Sequence, residues 1–352
     1  MDGHSFQWMV TYVHFNIYLA FMDCSKDGEL LRNRWFLLVI GSQALTGFLS
    51  LIVSLLVLKR SGSLYFNINC KILIKATLIL FIAHSLFITV LQSLQLFLYL
   101  TTADPCSIVF ESEMCFSMRF PANVCMISFA ALQVSMVMER AIATWKGAQY
   151  ESYDSRIGYT FTVASVIISI VATAWVMKVE DFSLQYPYCS SATPSTAQRL
   201  RLLCFVLCGV DIATIGGIIA LSVVNHIATK HRTYDLRSSY QLHENAQIIK
   251  LILPLTLFQT ITYAFFSSSS ATVATFRESF SYVAYRTIFA STYIIPYYTM
   301  VSPVMLWFII RQSRRMRKAK LKLLKNKLST SLEKDVYFRA YTEMWKRSPL
   351  RR

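Results

Sequence analysis

The chain has 352 residues, 55% of them hydrophobic and only 15% charged. Soluble domains carry about a quarter charged residues, so this composition argues against an ordinary soluble enzyme or binding module. The formal charge of +16 gathers mostly at the C-terminal end, beside apolar segments, which points to lipid headgroups rather than nucleic acid.

In chain order, the opening stretch MDGHSFQWMVTYVHFNIYLA has no basic n-region and no small-residue cleavage site. It does not read as a cleaved signal peptide, and the first membrane helix is expected to serve as an uncleaved signal. Seven apolar blocks follow, over Trp35–Leu58, Ala76–Leu100, Phe116–Met138, Ile157–Met177, Leu202–Ala228, Ile248–Val273 and Ile288–Ile310. Each is close to the ~20 residues a helix needs to cross hydrocarbon. A helix also closes its backbone hydrogen bonds internally, as lipid demands. The third block is the least apolar, with Arg119 near its start. The seventh holds Pro296 and Pro303, which a membrane helix tolerates where neighbours satisfy the freed carbonyls. The expected division is an extracellular segment 1–34, a seven-helix domain 35–310 and a basic cytoplasmic tail 311–352. There is no internal repeat of the kind that marks many transporters.

Lys and Arg near span ends set orientation. The loops after spans one, three and five, with the tail, carry 26 basic residues; the N-terminal segment and the other loops carry 9. Without the tail the balance is 11 against 9, so the tail supplies most of the signal for a topology with the N-terminus outside and the C-terminus inside. Cysteines bear on the same point. Of eight, Cys70 falls in a cytoplasmic loop and Cys125, Cys204 and Cys208 fall within spans, where a small packing role is expected. Cys24, Cys106, Cys115 and Cys189 all fall on the outer, oxidising side. Four cysteines permit three pairings. Cys115 heads the third span and Cys189 lies mid-loop between the fourth and fifth, so the expected set is Cys115–Cys189 with Cys24–Cys106. The bland alternative is one or more free thiols.

Glu139 and Arg140 end the third span. Alone, such a pair reads as a stop-transfer charge. The 25 residues from Cys115 to Arg140 are about 37 Å of helix, a full crossing. This spacing resembles that of rhodopsin-like G-protein-coupled receptors between their third-span cysteine and the Arg of their acidic-Arg-Tyr motif, with Ala141 here in place of the Tyr. Three further stretches narrow the resemblance: DPC at 104–106 with CFSMRFP at 115–121, ERAIATWKGAQYE at 139–151, and SYQLHENAQIIKLILPL at 239–255. Together they resemble the nematode serpentine chemoreceptors of the Sra superfamily, most of all the alpha/beta class (Srab), across nearly the whole chain. The resemblance implies an all-α seven-helix receptor of sensory neurons or their cilia, in the plasma membrane, that binds a small-molecule ligand and signals through a heterotrimeric G protein.

The pattern also departs from the larger receptor group. Span seven ends SPVMLWF, span two has no Asp, span one no Asn, and span six lacks Cys-Trp-x-Pro around Pro254. The activation switches of that group do not carry over. Span seven has no Lys, which removes a retinal Schiff base. No cofactor and no metal are expected.

Asp211 is an acid well inside a span and so a default functional candidate. It reads as a contact to a cationic or hydrogen-bonding ligand, or else as a protonated or internally paired structural carboxyl, with His84 a possible partner. Gln133, Gln259, Tyr293 and Tyr297 are further pocket candidates; helix packing is the bland reading for the aromatics. Glu244, just before span six, is expected to pair with Arg140 in the resting state; the alternative is a local Glu139–Arg140 pair. In the tail, 311–327 holds nine basic residues and no acid, with Leu321, Leu324 and Leu328 at helical spacing, as suits a helix on the anionic inner leaflet. A transporter or ligand-gated channel is the competing reading, but it would need charged or broken mid-membrane helices. No nucleophile–base pair or metal motif suggests an enzyme.

Overall fold

The computed structural model describes residues 24–61, 67–104, 108, 110–146, 150, 154–182, 188–190, 193, 195–230, 236–329, 339 and 342–343. Its regular elements are helices. They are α1 (Cys24–Arg32), α2 (Arg34–Ser61), α3 (Ile68–Thr101), α4 (Ser112–Lys146), α5 (Arg156–Met177), α6 (Ala197–Lys230), α7 (Leu236–Thr275), α8 (Tyr282–Thr292) and α9 (Ile295–Ser329), with a 3-10 turn at Arg277–Ser279. Among the described residues, six stretches are long and apolar enough to cross a membrane: α2, α3, α4, α5, Ala197–Ile227 of α6, and Tyr282–Gln312. Helix α7 encloses the sixth predicted span. The chain divides into two compact units, 1–306 and 307–352. The basic stretch 311–327 is helical, within α9.

Local sequence explains several helix starts. Asn33 Oδ1 accepts from the amides of Trp35 and Phe36 at 3.0 and 3.1 Å, so it caps α2. Asn67 caps α3 through the Asn69 amide, and Ser281 caps α8 through the Ala284 amide. The helices outrun the predicted spans: α3 starts eight residues before Ala76, because nothing between Asn67 and Ala76 breaks a helix.

Helix α4 is the centre of the bundle. Of its most apolar window 72% is buried, against 28% for α5, and it packs on α3, α5, α6 and α7. This explains how the third block can carry Arg119 and other polar residues: its side chains face protein, not lipid. Helix α5 turns Val163, Ile167, Ile168 and Val171 outward. Such a row would be an aggregation surface in water and is an ordinary lipid face in a membrane.

The seventh predicted span departs from one continuous helix. It breaks between Thr292 and Ile295. Pro296 therefore sits in the first turn of α9, where its missing N–H is not needed, rather than kinking a helix interior. Gln43 of α2 donates from Nε2 to the carbonyls of Ala290 and Tyr293 at 2.9 and 3.3 Å, satisfying the break. Pro303 stays inside α9 and denies Thr299 its usual i+4 partner. Ser50 of α2 donates to that Thr299 carbonyl at 2.8 Å instead.

Candidate functional site

Two sites lie at opposite ends of α4. At its first turn, Cys115 is joined to Cys189 by a disulfide, with Cα atoms 5.4 Å apart. This ties the connection between α5 and α6 to the head of the bundle. Arg119, one turn on, strengthens the tie. Its Nε donates to the Cys115 carbonyl at 3.1 Å, one Nη donates to the Ser190 carbonyl, and the other reaches Glu180 Oε1 at 3.3 Å. Glu180 Oε2 accepts from the Thr193 hydroxyl at 3.2 Å. Arg119 is 2% exposed and Glu180 7%, so the arginine that weakened the third block pairs inside protein. The side chain of Cys24 and all of Cys106 lie outside the described residues.

Beneath this connection is a cavity of about 290 Å³. Its walls come from α3 (Ile88, Gln92), α4 (Asn123, Met126), α6 (Leu200, Cys204), α7 (Phe266) and α8 (Tyr285, Phe289), closed by Tyr188 and Cys189. Burial pushes the Tyr188 hydroxyl up to about 12, against the opposing effects of a Gln92 hydrogen bond and the charges of Arg286 and Arg119. Tyr188 is thus a neutral phenol with two guanidinium groups in its field.

Of the sequence candidates for ligand contact, Tyr293 lines this cavity, and Asp211, Gln133, Gln259 and Tyr297 do not. Tyr293 OH is 3.2 Å from His84 Nε2, so His84 meets a tyrosine rather than Asp211. Tyr297 is a third exposed and its hydroxyl meets Ser42 at 2.7 Å. The other three assemble with one another. Gln259 Oε1 accepts from Gln133 Nε2 at 2.7 Å and from Tyr298 OH at 2.5 Å, and Gln259 Nε2 donates to Asp211 Oδ1 at 3.1 Å. The network is buried and joins α4, α6, α7 and α9.

At the far end of α4, Arg140 donates to both carboxylate oxygens of Glu139. Glu139 is 0% and Arg140 2% exposed. The Tyr150 hydroxyl also donates to Glu139, and its ring lies 5.9 Å from the Arg140 guanidinium carbon. Asn69 Nδ2 donates to Tyr150 at 3.0 Å, while Asn69 Oδ1 accepts from the Gly158 amide at 2.9 Å. A Cβ at position 158 would come within 2.9 Å of the Asn69 Cα, so α3 and α5 meet here only because residue 158 is glycine. Asn69, Tyr150 and Gly158 carry no separate motif; Tyr150 is marked only by its place in ERAIATWKGAQYE. The side chain of Glu244 lies outside the described residues.

A tethered connection over a cavity at one end of a central helix, and a buried acid–Arg pair at the other, suit a receptor. Sequence comparison agrees. Residues 22–346 match the family described as serpentine type 7TM GPCR receptor class ab chemoreceptor. Among curated proteins of Caenorhabditis elegans, the chain is similar to serpentine receptor class alpha-39, 21% identical over 84% of this chain and 80% of that one. It is 22% identical to serpentine receptor class beta-17 over 76% and 75% of the two chains, and 24% identical to serpentine receptor class alpha/beta-14 over 59% and 55%. With a family match across nearly its whole length, on a helical bundle built as such receptors require, the chain belongs to the class ab serpentine seven-transmembrane chemoreceptors.

Proposed function

We propose that this protein is a chemosensory G-protein-coupled receptor in the plasma membrane of sensory neurons or their cilia, with its N-terminus outside. It binds an external small molecule in the cavity beneath the Cys115–Cys189 connection and signals to a heterotrimeric G protein at the Arg140 end. One observation carries this reading: α4 bears the tethered cavity at one end and the buried Glu139–Arg140 pair about 37 Å away. The basic tail then faces the anionic inner leaflet, at roughly 1 kcal/mol per basic residue near the surface. Glu244 remains the proposed second partner of Arg140, a latch that holds the resting state.

The test is expression in cultured cells with an N-terminal epitope and a G-protein reporter. The epitope is expected to be accessible on intact cells. Ligand-free reporter activity, read per receptor at the surface, is expected to rise in Glu244→Ala and to vanish in Arg140→Ala. Solute uptake or ionic current without any reporter response would instead mark a transporter or channel.

A further inference from the structure

The cavity wall is strongly one-sided in charge. Arg119, Arg201, Arg277 and Arg286 all line it, and among its described lining residues there is no Asp or Glu. Glu180 pairs with Arg119 from outside the wall. That leaves Arg201 of α6, Arg277 of the 3-10 turn and Arg286 of α8 as cavity cations not balanced on the wall itself. Arg277 and Arg286 lie over the rings of Tyr285 and Tyr282, at 5.6 and 5.5 Å. Stacking restrains a guanidinium plane and leaves its edge donors free for an acid group.

Two buried polar atoms supply a second, independent sign. Among the described residues, Asn123 Nδ2 and Gln92 Oε1 have no hydrogen-bond partner, and both residues line the cavity while only 4% and 3% exposed. Orphaned buried groups of this kind are costly and call for a partner. A donor on α4 and an acceptor on α3, both on this wall, fit a ligand bearing a hydroxyl or amide. Ile88, Leu91, Met126, Leu200 and Phe266 give the wall an apolar part, while Thr193, Ser267, Ser270 and Thr292 add hydroxyls. The volume, near the lower end for ligand pockets, suits a metabolite rather than a peptide.

We propose that the cavity binds a small amphipathic organic anion, a carboxylate or sulfate, with its acid group on the arginines and its apolar body against the floor. A cationic ligand, which Asp211 alone suggested, has no counter-charge on this wall. The proposal rests on the receptor reading for its biological role, but the binding chemistry stands apart from G-protein coupling.

The experiment uses the full chain, purified into nanodiscs of zwitterionic lipid so that anionic headgroups do not compete. The probes are 4-phenylbutyrate, its neutral amide and 4-phenylbutylamine, each titrated against the thermal midpoint. The acid is expected to raise the midpoint with an apparent affinity about tenfold or more above that of the amide, and the amine to do nothing. The pair Arg201→Gln and Arg286→Gln is expected to bring the acid down to the level of the amide. Arg277→Gln, at an exposed position that does not threaten folding, is expected to show part of that loss. Unliganded midpoints identify any variant that fails to fold. Equal responses to acid and amide, none included, would overturn the proposal, as would an acid affinity unchanged in every folded arginine variant. Nucleotide exchange on added G protein, read in the same nanodiscs, separates the two ideas. Exchange without acid preference sinks the ligand class alone; acid preference without exchange sinks the receptor reading alone.

Discussion

Glu139 and Arg140 leave water together, and a buried ion pair is stabilising only when its remaining hydrogen-bonding capacity is filled. Here Tyr150 supplies the extra donor to Glu139, and Asn69 holds Tyr150. Burial first, and then the neighbouring Glu139 charge, lift the Tyr150 hydroxyl above its ordinary range, so it stays protonated and donating at any physiological pH. Tyr150→Phe keeps the ring beside Arg140 but strips a partner from both Glu139 and Asn69. The expected cost is about 1–3 kcal/mol. It should appear as a lower thermal midpoint of the purified protein, with higher ligand-free signalling as the pair loosens. A variant matching the parent in both measurements would show that the hydroxyl holds nothing. The acid–Arg pair was legible because its members are neighbours in sequence. The roles of Tyr150 and Asn69 were not, because each depends on how a connection and a second helix fold back onto α4.

At the scale of elements, apolar run length predicted where the helices lie, since lipid admits little else. It could not tell a continuous seventh span from a broken one, because the whole run Tyr282–Gln312 is apolar enough to read as one span. The deciding groups sit on α2: Gln43 satisfies the break and Ser50 satisfies the carbonyl that Pro303 leaves open. A double-mutant cycle isolates the second device. Ser50→Ala is expected to cost about 1–3 kcal/mol in the parent, where Thr299 loses its donor. It should cost less in a Pro303→Ala background, where the new N–H at position 303 can serve Thr299. Thermal unfolding of the four proteins measures the coupling, expected at about 1 kcal/mol. Strictly additive effects would mean that the serine and the proline are unrelated. Arg119 teaches the same lesson from the other side. Hydropathy counted it against the third span, whereas the fold gives it Glu180 and two carbonyls inside the bundle.

Across the whole molecule, the cavity and the Arg140 end share α3 and α4, yet no described residue belongs to both. Between them lies the layer in which Gln259 of α7 joins Gln133 of α4, Asp211 of α6 and Tyr298 of α9. Each of these was visible in the sequence as a polar residue within an apolar span. That they meet at one amide was not, because helix rotation and depth are set by packing. Position between two sites is not evidence of coupling, so the layer needs a test that separates binding from response. Gln259→Leu strips one hydrogen bond from each of Gln133, Tyr298 and Asp211, in a setting where such interhelical bonds are worth about 0.6–2 kcal/mol apiece. Asp211→Asn removes the acid group but keeps an oxygen that can accept from Gln259. Had Asp211 faced the ligand, the asparagine variant would lose the response outright. Because Asp211 sits in the layer and not on the cavity wall, both variants should bind the acid probe as the parent does. Gln259→Leu should fail to pass binding on to nucleotide exchange, while Asp211→Asn should retain it. Loss of probe binding in Asp211→Asn would return that carboxyl to the ligand site, and normal exchange in Gln259→Leu would reduce the layer to packing.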